Sequence, residues 1–276
     1  MTTLLSEEEP NKNAKPWGFW ATIGFSAIAF IVMSIIQAIV LIVYAVNQGI
    51  DIDINNEELA ESINEIALDG DLLGLAEIPS AIIGVALILL FASFRKPLTI
   101  KQYLHLYWPK ITTLLKWLGI MFLAMIAMQV VMVSLGVETP SFMTNVYGST
   151  ENKWILWVAV VIGAPFFEEF LFRGFLFEGL QHAFSKISST SIGTFITVIL
   201  TSGIWAVIHM QYGWIEIINI FFIGVVFAIA RLKTGSLYIP IAMHMMMNLF
   251  ASLAMEFQPE LEALEKSAVG VISVLS

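Results

Sequence analysis

The residues best suited to chemistry sit in one apolar stretch, Pro165-Phe166-Phe167-Glu168-Glu169-Phe170-Leu171-Phe172-Arg173-Gly174. Two acids and one base lie among bulky hydrocarbon side chains. Glu169 and Arg173 are four residues apart, so on a helix they share a face and can pair. Glu168 points about 100° away around the helix and lacks that partner. A carboxylate so placed suits proton abstraction from water. Pro165, three residues earlier, kinks the helix or starts a helical half, and either opens space beside the carboxylates. An ion pair that only fixes packing would explain Glu169 and Arg173. It would not explain Glu168.

Two further apolar stretches carry polar residues at helical spacing. One ends Trp205-Ala206-Val207-Ile208-His209, and the other reads Pro240-Ile241-Ala242-Met243-His244-Met245-Met246-Met247-Asn248. A lone histidine near a helix end is commonly interfacial. His244 and Asn248 share one face, which suggests either a polar cavity or a hydrogen-bonded clamp between helices. Pro240 removes a backbone donor four residues before His244 and predicts a bend. Met243 and Met245 to Met247 are read as core filler. His105 and His182 are read as surface residues. Glu77 and Glu216 are placed near span ends within reach of water, and Glu178 is expected to be solvated.

The elements that must position these residues are membrane helices. Of 276 residues, 58% are hydrophobic and only 13% charged, with a mean hydropathy of +0.84. Apolar runs of about 20 residues, each enough to cross a bilayer core, recur along the chain. They are continuous rather than alternating, which selects an all-α transmembrane bundle over a barrel. Seven spans are predicted at 18–46, 73–94, 112–136, 154–183, 192–210, 215–231 and 236–255. A short amphipathic stretch at 56–68 is expected on the membrane surface or against the bundle. Residues 267–275 are apolar but too short to cross alone, and could form a partial eighth segment. Residues 1–16 read as a cytoplasmic tail and 17–276 as one membrane domain.

Charge placement orients the bundle. With the N-terminus inside, Lys12, Lys15, Arg95, Lys96, Lys101, Lys110, Lys116, Lys186, Arg231 and Lys233 all face the cytoplasm, and only Lys153 and Lys266 face outward. The net charge of −9 reflects acids gathered in the 51–71 loop and the C-terminal tail, and says little about substrate.

Inventory removes several chemistries. There is no cysteine, hence no thiol nucleophile and no Cys-based zinc site. All the aspartates lie between 51 and 71, so an intramembrane aspartyl dyad is missing. Neither His-Glu-x-x-His nor Gly-x-Ser-x-Gly occurs. The remaining set suits water activation: a glutamate takes the proton with help from a histidine, and His244 and Asn248 stabilise an oxyanion. Alternatively Glu168, His209 and His244 bind one Zn²⁺ with an open fourth position.

Glu168-Glu169-x-x-x-Arg173, then Trp205-x-x-x-His209, then His244-x-x-x-Asn248 behind the lead-in Ser236-Leu237-Tyr238-Ile239-Pro240, resembles the CPBP family. That family comprises CAAX prenyl endopeptidases and bacteriocin-processing or immunity proteins, also called Abi-type membrane proteases. The resemblance covers about 153–250. Trp205 departs from it, since the family more often has phenylalanine there. The resemblance implies an intramembrane endopeptidase in which Glu168 activates water and His209 assists. It assigns Glu169 and Arg173 to support, and His244 and Asn248 to the oxyanion site. The family is named a metalloprotease group, yet its eukaryote-type members resemble glutamate-activated hydrolases without an essential metal, so zinc stays an open cofactor. Expected partners are membrane lipid and a peptide or lipidated-protein substrate, with no nucleic acid. The expected location is the plasma (inner) membrane. A non-catalytic scaffold or immunity protein of the same fold is the alternative. A proton-coupled transporter is a more distant one, because no inverted repeat is evident.

One expectation strains against simple geometry. On straight helices starting at the membrane surface, Glu168 lies about 21 Å in from Trp154, and His244 only about 12 Å from the other end of its span. Glu168, His209, His244 and Asn248 must nevertheless converge within about 10 Å if they act together.

Overall fold

The computed structural model describes residues 14–47, 49 and 66–275, with side chains described as far as Gln258. The described residues are helical throughout their regular structure. The helices are α1 (Phe19–Asn47), α2 (Gly70–Ser93), the short α3 (Ile100–Leu104), α4 (Ile111–Ser134), α5 (Ser141–Ser149), α6 (Lys153–Ile187), α7 (Thr190–Val207), α8 (Trp214–Thr234) and α9 (Tyr238–Leu275). Seven of them are long and apolar enough to cross a membrane, at the positions of the seven predicted spans. The chain is therefore an integral membrane protein of all-helical type. Most of the 56–68 stretch lies outside the described residues. The backbone of 267–275 continues α9 without a break, so no separate eighth segment forms there.

Caps set the helix ends. The Asp69 carboxylate accepts from Leu72 N at 2.9 Å and starts α2 three residues before the hydropathy pattern predicts. Thr99 and Gln102 form a reciprocal capping box on α3. Gly235, at φ 63°, closes α8 in the left-handed conformation that glycine adopts without cost.

α6 is the central element. Pro165 has no N–H to continue an α-helical ladder. The helix absorbs it by widening to i→i+5 turns over Val158–Gly163, and widens again over Phe170–Leu176. Glu168 and Glu169 sit on the α-helical turn between the two wide ones. Around them, Phe167, Phe172 and Phe175 are almost fully buried in the main core, while Phe177 is buried with Val198 of α7 and Ala228 of α8. Tyr103 stacks on Phe175 at 5.3 Å, and Phe25 stacks on Phe91 at 4.6 Å. Burial drives the Tyr103 phenol well above its ordinary range, so it stays protonated.

The apparent mismatch in depth disappears because the helices do not share a common end. Glu178 on α6 pairs with Arg231 of α8 at 3.3 Å and with His105 after α3 at 3.1 Å. Leu237 N donates to His105 O at 3.0 Å, and Ser236 Oγ to Tyr107 O at 2.6 Å. The start of α9 is therefore level with Glu178, well above the Ile187 end of α6. From Glu178 to Glu169, and from Ser236 to His244, the climb is about 12–14 Å in each case. Similarly, Glu168 lies as many residues from Ile187 as His209 lies from Thr190. Two sequence expectations change with this. Glu178 is not solvated but ion-paired, with its side chain 20% exposed, and His105 is a half-buried partner rather than a surface residue.

The opposite rim, around Lys153, has its own fastening. Lys153 Nζ lies 2.7 Å from Glu256, which also accepts from Tyr147 Oη at 2.5 Å. Burial and that carboxylate push the Tyr147 phenol up to about 12. Asp71 accepts from the backbone N–H groups of Glu151 and Asn152 at 2.8 and 2.9 Å, tying the start of α2 to the start of α6.

Candidate active site

Glu169 and Arg173 are sealed inside the bundle, both with 0% exposed side chains. Arg173 Nη1 donates to Glu169 Oε1 at 3.0 Å, as the i,i+4 spacing predicts. Its other terminal nitrogen donates to Gly224 O at 3.2 Å. The guanidinium lies 4.4 Å over the Trp205 ring and 5.3 Å over Phe227, so its face is covered by aromatic carbon. Glycine at 224 permits this approach: a Cβ there would stand 3.0 Å from both Arg173 Nη2 and Trp205 Cε3.

His244 on α9 joins the same layer. Its Nδ1 is 3.0 Å from Glu169 Oε1, and its ring packs between Trp205 and Phe227 at 5.4 and 5.2 Å. An ionised carboxylate only accepts, so Nδ1 carries the proton and Nε2 is the free nitrogen.

Glu168, one residue earlier, faces the other way. It is half-buried, and its Oε2 accepts the indole N–H of Trp205. The partner that helix spacing could not supply thus comes from α7. Trp205 itself is 1% exposed and stands at the centre of the site, edge-on to both histidine rings.

His209 lies just past the end of α7. The last carbonyls of a helix have no i+4 partner. His209 N turns back to Ala206 O, and His209 Nδ1 takes the Trp205 carbonyl at 2.7 Å. A carbonyl also only accepts, so here too Nδ1–H donates and Nε2 is free. The Tyr212 ring stacks on His209 at 6.3 Å. Burial, reinforced by the Glu168 charge, pushes the Tyr212 phenol up to about 12, so it remains a neutral donor. Asn248, one turn along α9 from His244, donates from Nδ2 to Val160 O at 2.6 Å. That carbonyl belongs to the first wide turn of α6.

Glu168, Trp205, His209, His244 and Asn248 all line one cavity of about 740 Å³. The helices that spacing placed on separate spans are thereby brought to a single volume. Among the described residues, no three of His, Asp and Glu are arranged as ligands of one metal ion.

The cavity also holds residues that the sequence reading set aside. Glu77 is expected near water at a span end, yet it is 9% exposed, about two turns inside α2. The cap at Asp69, placed earlier than hydropathy suggests, carries it inward. Gln37 on α1 donates to it at 2.7 Å. The signal available in sequence is Gln37 itself, an amide amid the apolar run 19–47. Glu216 lies in the first turn of α8, near the span end where it is expected, and is partly exposed on the cavity wall.

Residues 150–250 match the family model described as type II CAAX prenyl endopeptidase Rce1-like. Neither the curated proteins nor the solved structures yield a match. The matched stretch runs from the start of α6 into α9 and contains the Glu168–Glu169–Arg173, His209 and His244–Asn248 positions. Over that stretch, the match supports the resemblance to the CPBP family of intramembrane proteases.

Proposed function

We propose that the protein is an endopeptidase that hydrolyses a peptide bond of a membrane-associated peptide or lipidated protein, with Glu168 as the base. A water between Glu168 and His209 Nε2 gives its proton to Glu168, and its oxygen attacks the scissile carbonyl. Asn248 keeps one amide hydrogen beyond the one given to Val160, and turns it toward the oxyanion. His244, anchored through Nδ1 by Glu169, stands beside Asn248 on the same wall of the cavity. Glu169 and Arg173 hold His244 and Trp205 in place and do not touch substrate. The gathering of Lys and Arg at the Ile187 rim supports a cytoplasmic N-terminus and a plasma (inner) membrane location.

The observation that carries this reading is the cavity in which one carboxylate of an adjacent pair is presented while the other is neutralised by arginine. The test is cleavage of a peptide library by the purified protein in lipid nanodiscs, with Glu168→Ala beside it. Wild type should cleave, both with and without a chelator, and Glu168→Ala should not. Equal cleavage by the two proteins contradicts the assignment. Loss of activity in chelator, restored by Zn²⁺, would replace the glutamate base with a metal at Glu168, His209 and His244.

A further inference from the structure

The family model begins at residue 150, yet the cavity wall does not stop there. α1 and α2 add Gln37 and Glu77 to it. Glu77 is a carboxylate deep in a membrane helix, where an ionisable group is costly and marks function by default. Its contacts differ from those of Glu169. Its hydrogen-bond donor is the neutral Gln37 amide, Nε2 to Oε2 at 2.7 Å, and among the described residues no arginine or lysine pairs with it. Gln37 is in turn steadied by Ser80 at 3.4 Å. Glu77 and Glu168 line the same cavity. Glu77 also flanks the first wide turn of α6, since a Cβ at Gly163 would lie 3.9 Å from its Cγ.

Hydrolysis of an amide needs two proton movements. Water loses one to the base, and the departing nitrogen must gain one, because an amide anion is too poor a leaving group. Two carboxylates in one cavity, Glu168 held by the Trp205 indole N–H and Glu77 by the Gln37 amide, divide those roles when their environments differ. We infer that Glu77 is the general acid of this site, donating its proton to the leaving nitrogen as the carbon–nitrogen bond breaks. The proton that Glu168 removed from water then returns Glu77 to its acid form through solvent, so the cycle balances without any further reactant. The inference rests on the endopeptidase reading above. It places an essential group on helices outside the matched domain.

The experiment compares wild type, Glu77→Gln, Glu77→Asp and Glu168→Gln on two probes with the same acyl peptide, a p-nitroanilide and a p-nitrophenyl ester. The anilide needs a proton on its leaving nitrogen, and the nitrophenolate leaves as an anion. Glu77→Gln should cut anilide turnover about a hundredfold or more and leave ester turnover near wild type. It should also remove one limb of the pH–rate profile, and Glu77→Asp should restore part of the anilide rate. Melting of each variant in nanodiscs reports folding. A Glu77→Gln protein that cleaves both probes like wild type, or that loses both equally, overturns the inference and leaves the base assignment standing. Full activity of Glu168→Gln, or no cleavage by wild type, overturns the endopeptidase reading and this inference with it.

Discussion

α6 carries two clusters of the same three residue types, a glutamate, an arginine and a histidine, set nine residues apart. In one, Glu169 meets Arg173 and His244 with side chains 0 to 3% exposed. In the other, Glu178 meets Arg231 and His105 with exposures of 4 to 31%. The lower cluster joins three segments near the Ile187 rim and sets the height at which α9 begins. The upper one is roofed by Trp205 and Phe227 and lies directly beneath the cavity. Identical chemistry thus serves as a fastener where water can reach it and as the floor of the candidate site where it cannot. The difference lies in desolvation. A buried charge without its partner is far more costly than an exposed one.

The comparison breaks most visibly at Arg173. Arg173→Ala leaves Glu169 as an uncompensated buried charge and should cost about 3–5 kcal/mol. The check is the yield of folded protein and its melting temperature in nanodiscs. Arg173→Lys should recover only part, because a lysine cannot bond Glu169 and Gly224 together while lying flat on Trp205. Trp205→Phe is a milder and more selective change. It keeps an aromatic ring over Arg173 but removes the N–H that Glu168 accepts. Hydrogen bonds to charged groups contribute about 1.5–3 kcal/mol. Turnover should fall about tenfold or more while the melting temperature stays near wild type. A variant as active as wild type would show that Glu168 does not depend on that donor. At the lower cluster, Glu178→Gln should cost about 1 kcal/mol or less and leave cleavage unchanged. Activity loss there as large as at Arg173 would erase the distinction between the clusters.

Much of the site was legible in the sequence because ionisable residues stand out in hydrocarbon. Glu168, Glu169, Arg173, His244 and Asn248 are conspicuous in apolar runs, and i,i+4 spacing correctly paired Glu169 with Arg173. The seven spans followed from the same contrast. What failed depended on contacts between distant segments. The Glu178–Arg231–His105 cluster joins residues more than fifty apart, and no local pattern announces it. Glu77 was misplaced because hydropathy marks where lipid begins, whereas the Asp69 cap marks where the helix begins. Pro165 signalled a bend, but not that α6 would answer with two wide turns. Trp205 registered only as a departure from the family pattern, and its indole N–H found a use only once α7 met α6.

The central claim is that adjacent glutamates have divided labour, and Glu168→Gln beside Glu169→Gln tests it most directly. Each protein is purified in nanodiscs, melted, and assayed for single-turnover cleavage of a peptide that wild type cuts. Glu168→Gln should melt like wild type and lose cleavage. Glu169→Gln should melt lower, having removed the counterion of a buried arginine, and any protein that remains folded should retain measurable turnover. A stable, inactive Glu169→Gln together with an active Glu168→Gln would reverse the roles and contradict the account.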